Sequence, residues 1–156
     1  MSRPVVDLAP PAAQDIEELV AGLRLQDREE LDACGYPDHR AAVEYSVQAS
    51  AWCFAVRVGG NLAAIMGVSP AGTLMAPVGV PWMLGTDLVP LHRRTLAVLA
   101  PRYIRRMLQD FPHLANVVHA RNTVAVRWLQ RCGFTLNPPQ PMGPHGEPFH
   151  LFEMRS

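Results

Sequence analysis

Eight arginines fall between His92 and Arg131 against the single acid Asp110, a local charge of +7. The planar guanidinium fork is the side chain best matched to phosphate. Two readings of the stretch stay open: a site for phosphate, nucleotide or nucleic acid, or a solvated helix face that docks on something acidic. Acid is at hand, because residues 1–51 carry ten carboxylates against four arginines, a formal −6. Blocks of opposite sign within one small domain commonly answer each other, so docking is the favoured reading and nucleic acid is not the expected partner.

The other reactive residue types give less. All 14 Lys and Arg residues are arginines, which excludes lysine Schiff-base chemistry and the phosphate-binding lysine of a P-loop. Cys34, Cys53 and Cys132 are odd in number, far apart and without a Cys-x-x-Cys spacing. That pattern argues against a disulfide framework or a zinc site, and for a reducing compartment. His145 and His150 share a Pro/Gly-rich tail with no third ligand nearby, so no metal is expected. His119 sits in an apolar run and reads as a hydrogen-bonded structural histidine. Glu44 and Glu147 stand outside the charged clusters, but the sequence places no partner beside either as a general base. No Ser/His/Asp or Cys/His arrangement can be assembled, so the catalytic residues stay unassigned. Trp52, Trp82 and Trp128 read as core.

The elements that must position these residues follow from periodicity. At 156 residues, 49% hydrophobic and zero net charge, the chain suits a single domain. Residues 5–8 form a short β-like run, and a helix begins at Ala12 or Ala13, with Ile16, Leu19, Val20 and Leu23 on one stripe. Two more helical pieces, 27–33 and 38–49, are divided by Cys34-Gly35-Tyr36-Pro37. Residues 52–58 and 62–68 read as a β-hairpin around Gly59-Gly60-Asn61. Residues 69–79 read as a Pro/Gly loop and 80–84 as a strand, whose Pro81 marks its start or an unpaired backbone position.

From Leu91 the pattern is helical, with Leu96, Leu99, Tyr103, Met107 and Phe111 on one stripe. Pro101 predicts a kink or two abutting helices. A strand at 116–120 leads to Asn122, an N-cap before Ala125, Trp128, Leu129 and Cys132 at i, i+3, i+4 and i+7. Gly133 supplies the left-handed C-terminal residue before a strand at 134–136, and residues 137–148, with five prolines, read as an irregular connection to a last strand at 149–154. The uncharged run 58–86 is broken by Pro70, Pro77 and Pro81, so no membrane segment is expected, and the N-terminus lacks the form of a signal peptide. The order of elements predicts an α/β (α+β) domain, a mixed sheet with helices on its faces.

That order resembles the GNAT acyltransferase superfamily, most specifically from Arg121 to Phe134, with Asn122, Ala125 three later and Gly133-Phe134 eleven and twelve later. A narrower likeness links Pro81-Trp82-Met83-Leu84-Gly85-Thr86-Asp87, Ala120-Arg121-Asn122-Thr123 and Arg127-Trp128-Leu129 to the internal virion protein A family of T7-like podophages. The GNAT resemblance implies a largely antiparallel sheet with helices on both faces, and acetyl-CoA held at the loop and helix after the fourth strand, which here offers Thr86, His92, Arg93 and Arg94, with Asn122 opposite. This stretch has no glycine after Gly85, Pro90 removes an amide donor, and Asp87 adds negative charge. Leu129 stands seven residues after Asn122, where the family commonly places a tyrosine acid. The resemblance therefore implies a phage or prophage GNAT-fold protein acting in virion assembly or as a minor internal virion component, with a degenerate acetyl-CoA site. Its partners would be phage structural or assembly proteins, and its location the host cytoplasm or the virion. The alternative is an active acetyl-CoA-dependent N-acyltransferase, in which CoA is bound and a protein or small amine modified.

Overall fold

The computed structural model describes residues 3–156. In chain order the elements are β1 (Val6–Ala9), α1 (Ala13–Gly22), α2 (Leu25–Ala33), α3 (His39–Ala49), β2 (Trp52–Val58), β3 (Asn61–Gly72), β4 (Pro77–Gly85), α4 (Leu88–Leu91), α5 (Arg93–Asp110), β5 (His113–His119), α6 (Thr123–Arg131), β6 (Thr135–Leu136), β7 (Gln140–Met142) and β8 (Glu147–Arg155). One sheet runs β1-β2-β3-β4-β5-β8-β6, with β7 also on β8, and only the β4–β5 pairing is parallel. The sheet is mixed, as the order of elements predicts, and largely antiparallel with helices on both faces, as the GNAT resemblance implies.

Helices cover both faces. Leu19 of α1, Leu23 just after it and Val43 of α3 pack on Ala55, Ile65 and Leu84, with Leu31 and Trp82 at the margin. On the other face Leu96 joins Val56, Ala64 and Val89, while Met107 and Phe111 join Val68, Leu114, Val118, Phe134 and Phe152. Local rules set the ends of several elements. Gly59 and Gly60, at φ +58° and +83°, make the two-residue hairpin turn that needs two left-handed residues. Asp38 caps α3 through the Ala41 N–H, and Asn122 caps α6 through the Ala125 N–H. After α6, Gly133 (φ +98°) donates to the Gln130 carbonyl and Phe134 to that of Leu129, the paired bonds of a glycine C-terminal motif.

Four expectations need correction. The stretch 69–79 is not a loop: β3 and β4 pair from Ala64↔Gly85 out to Gly72↔Pro77, leaving only a short turn whose Leu74 and Met75 are fully exposed. Two extended arms satisfy each other's backbone, so prolines at 70 and 77 are tolerated at positions that need no donor. Residues 137–148 contain β7, hairpinned onto β8 around Gly143 and Gly146, both at positive φ. Helix α5 passes through Pro101 without ending; the break falls earlier, between α4 and α5 at His92.

The fourth concerns charge. The acidic N-terminal helices are answered from within that half of the chain, by Arg24 to Asp27, Arg40 to Glu17, and Arg57 to Asp15 and Glu18. From the basic stretch, among the described residues, only Arg121 forms an ion pair, to Glu147 at 3.5 Å. Arg106 instead lies over the Trp52 ring at 4.4 Å. The two blocks do not dock on each other: the acids of α1 and α2 are met by arginines of α3, of β2 and of the turn before α2.

Candidate active site

The sheet is sewn tightly on either side of one weak seam. Strand β4 pairs with β3 along its whole length and β5 with β8 along its whole length, yet β4 and β5 pair only at Val78↔His113 and Gly79↔Leu114. Gly79 allows the pinch: a Cβ there would come within 2.8 Å of Phe111 and 2.9 Å of Leu114. Beyond it the strands part. Pro81, lacking an N–H, pairs with Val68 of β3, and its carbonyl accepts the Asn116 side-chain amide across the opening at 2.8 Å. Of the two readings of Pro81 from the sequence, a strand start or an unpaired backbone position, the strand starts earlier, at Pro77, and the missing N–H falls on the seam, where no ladder bond is lost.

A cavity of about 320 Å³ occupies the opening and reaches both faces of the sheet. On the side of α1–α3 its wall includes Asp27, Glu30, Leu31, Cys34 and Trp82. On the other side α5 contributes Leu96, Leu99 and Tyr103, and α6 contributes Ala125, Trp128 and Leu129. The α6 stripe read from the sequence as i, i+3, i+4, i+7 is thus the wall of a cavity, and none of its residues is fully buried.

Two carboxylates stand at the α2 wall, in different states. Asp27 is 2% exposed and fully engaged: one oxygen takes the Gly85 N–H at 2.7 Å and Arg24 Nε at 2.8 Å, the other Arg24 at 3.2 Å. It fastens the end of β4 to the start of α2. Glu30, one helical turn on, accepts the His119 backbone N–H at 2.6 Å through Oε1. Among the described residues, nothing hydrogen-bonds Oε2. Burial pushes the Glu30 carboxyl up to about 7, with the charge of Asp27 adding to the rise and the His119 bond and Arg24 opposing it. A carboxylate poised near neutrality in a cavity has the properties of a general base.

Glu30 escaped the sequence analysis because Glu29-Glu30 lies inside a charged run, where the ordinary reading is a wet helix face. The only signal was its three-residue spacing from Asp27, which puts both on one face of α2. Of the isolated glutamates, Glu147 meets His119 Nε2 at 3.4 Å and Arg121 at 3.5 Å, and Glu44 approaches Arg40 at 3.9 Å. Neither lines the cavity. His119 is buried against Phe149, with ring centroids 5.1 Å apart, as a structural histidine.

The proposed cofactor contacts separate into three places. Asn122 is buried, caps α6 and lines the cavity. His92, Arg93 and Arg94 lie together around a shallow concavity of about 350 Å³ at the start of α5, shared with Pro90 and Thr95. Thr86 belongs to neither, because its hydroxyl donates toward the carbonyls of Leu62 and Ala63 and accepts from the Leu88 N–H. The first bond of α5 runs from the Leu96 N–H to the His92 carbonyl at 3.0 Å, so the amides of residues 93–95 form the open first turn of the helix. Leu129 does line the cavity and offers no hydroxyl, but Tyr103 lines the same wall from α5.

Solved structures share this architecture. An acetyltransferase of the GNAT family from Streptococcus pneumoniae superposes with a TM-score of 0.66 at 16% identity, over 97% of this chain and 99% of that one. An aminoglycoside acetyltransferase in complex with coenzyme A gives 0.70 at 17% identity, over 97% and 95%. An aminoglycoside N(6′)-acetyltransferase from Legionella pneumophila gives 0.74 at 10% identity, over 99% and 94%. The chain therefore has the GNAT acetyltransferase fold. No protein-family model and no curated protein matches the sequence. The narrower likeness to the phage internal virion protein A family finds no support in these matches.

Proposed function

We propose that the protein is an acyltransferase that moves an acyl group from acyl-CoA to an amine, with Glu30 as the general base. The observation that carries this reading is the cavity through the β4–β5 seam, which brings an ionisable carboxylate from one face within the same space as the α5–α6 cleft on the other. Coenzyme A fits the residues present in two respects. The cleft between α5 and α6 is lined by apolar side chains suited to a thin flexible chain, and Arg93, Arg94 and the open first turn of α5 offer charge and donors to phosphate. When bound, acyl-CoA supplies the acyl group as an activated thioester.

The chain's own residues supply the rest. Glu30 Oε2 takes a proton from the incoming amine, so that its nitrogen lone pair is free to attack. Asn122 holds the start of α6 in place through its cap, and the Asn116 side chain bridges the opening so that the two halves of the sheet keep their separation. Tyr103 is the hydroxyl offered to the departing thiolate, in place of the one missing at Leu129. The two departures that favoured a degenerate site thus each have a substitute: arginine side chains for loop amides, and Tyr103 for an α6 tyrosine.

A role in virion assembly rested on the phage likeness and on that apparent degeneracy, and no structural feature speaks for it. The decisive experiment is calorimetric titration with acetyl-CoA together with mass-spectrometric detection of acetylated amines. Saturable binding with one-to-one stoichiometry and amine-dependent release of CoA is the expected result; absence of both would overturn the reading.

A further inference from the structure

The charged side chains at the α1–α3 end of the cavity, with the cysteine, serine and tryptophan beside them, can be accounted for in turn. Both oxygens of Asp27 are taken by Arg24 and the Gly85 N–H, which also ties down the Arg24 guanidinium. The Ser46 hydroxyl donates to the Ala42 carbonyl at 2.8 Å, and the Trp82 indole N–H to Ser50 Oγ at 2.8 Å. Burial and the nearby Glu30 charge push the Cys34 thiol up to about 11, so it stays a neutral, weakly polar wall. Among the charged side chains there, what remains unpaired is a single carboxylate oxygen, Glu30 Oε2, in a cavity whose wall on that side includes Leu31, Trp82 and Cys34. Tyr36, exposed, stands at the mouth.

A site with one unpaired carboxylate can neutralise one ammonium group. Each further ammonium brought into the same cavity would leave water without meeting an opposite charge, at a cost that exceeds what apolar contact returns. The volume sets a second limit: about 320 Å³ must hold the reacting end of the thioester as well as the acceptor.

We infer that the acceptor is a small monoamine carried on an apolar body, such as an arylalkylamine, with its nitrogen on Glu30 Oε2 and its hydrocarbon part against Leu31 and Trp82. This rests on the transferase reading above. In the reaction the ammonium loses one proton to Glu30, the nitrogen bonds to the acyl carbon as the carbon–sulfur bond breaks, the nitrogen's second proton passes to solvent, and the thiolate leaves as CoA after taking a proton from the Tyr103 hydroxyl, which recovers one from water. Polyamines, aminoglycosides and lysine side chains in polar peptides lack the match.

The test measures kcat/KM for phenethylamine, spermidine, kanamycin and a lysine-containing polar peptide at saturating acetyl-CoA, reading the amide by mass spectrometry. Phenethylamine should exceed each of the others by about tenfold or more, the range by which apolar pockets discriminate. Leu31→Glu, which places a second carboxylate in the wall, should reverse the preference toward spermidine, its fold checked by acetyl-CoA titration. If acetyl-CoA binds but the polar amines react as well as phenethylamine, or no amine reacts, the acceptor assignment is overturned while cofactor binding stands. If acetyl-CoA does not bind, the transferase reading itself falls and the acceptor with it.

Discussion

The Glu30 carboxylate of α2 accepts the backbone N–H of His119, the last residue of β5, at 2.6 Å. Eighty-nine positions separate the two residues; with Asp27 on the Gly85 N–H at the end of β4, the bond makes α2 a tie between the two strands that diverge. It fixes one oxygen of the carboxylate and leaves the other to the cavity. His119 is held for this by its own burial, its ring against Phe149 and its Nε2 beside Glu147.

Replacing Glu30 with Gln keeps an oxygen for the His119 N–H and removes the base. The kcat should fall on the order of a hundredfold or more, the usual worth of a positioned general base, with acetyl-CoA affinity unchanged by calorimetry. In the unsubstituted protein the rate should climb with pH through about 7, as Glu30 ionises; in Glu30→Gln that limb should be gone from the pH–rate profile.

The same carboxyl has a consequence for stability. An unfolded glutamate ionises near about 4.3, whereas the folded Glu30 keeps its proton up to about 7. Between those values the folded state binds the extra proton, so this group's contribution to stability is complete below the unfolded value and is lost as pH rises through about 7. Urea unfolding at pH 5 and pH 8 should show Glu30→Gln gaining on the unsubstituted protein by more at pH 8 than at pH 5.

Asp27→Ala removes the partner of both Arg24 and the Gly85 N–H at a site with 2% exposure. Breaking a buried pair from one side leaves an uncompensated charge and costs about 3–5 kcal/mol. Denaturant midpoints should drop accordingly, and the loss of the β4–α2 fastening should weaken acetyl-CoA binding as well.

Gly79→Ala tests the pinch. Its Cβ would meet Phe111 and Leu114 at under 3 Å, where ordinary contacts begin near 3.4 Å. Both neighbours are core residues, so overpacking of about 1–3 kcal/mol is expected, read as a lower melting temperature by calorimetry.

Arg93→Ala and Arg94→Ala should each raise the dissociation constant for CoA by about tenfold or more, the worth of a charge-assisted hydrogen bond, with melting temperature unchanged because both side chains are exposed. Unaltered affinity in both would move the phosphate site elsewhere.

Much of the fold was legible in the sequence. The helix stripes of α1, α5 and α6, the Gly59-Gly60 turn, the cap at Asn122 and the Gly133 stop are local physics, decided by residues within a few positions of one another. Of the residues the resemblance singled out, Asn122 lines the cavity, whereas Arg93 and Arg94 lie at a separate concavity at the start of α5. What the sequence left undecided depended on distant partners. The arms of β3 and β4 beyond Val68 are strands because each supplies the other's hydrogen bonds across a four-residue turn, which proline content alone disguises. The parting of β4 from β5 needs Gly79, Pro81 and Asn116 from separate elements. The character of Glu30, a solvated acid by its neighbours in sequence, is set by burial and by a backbone amide 89 residues away, for only tertiary structure can take water from a charge.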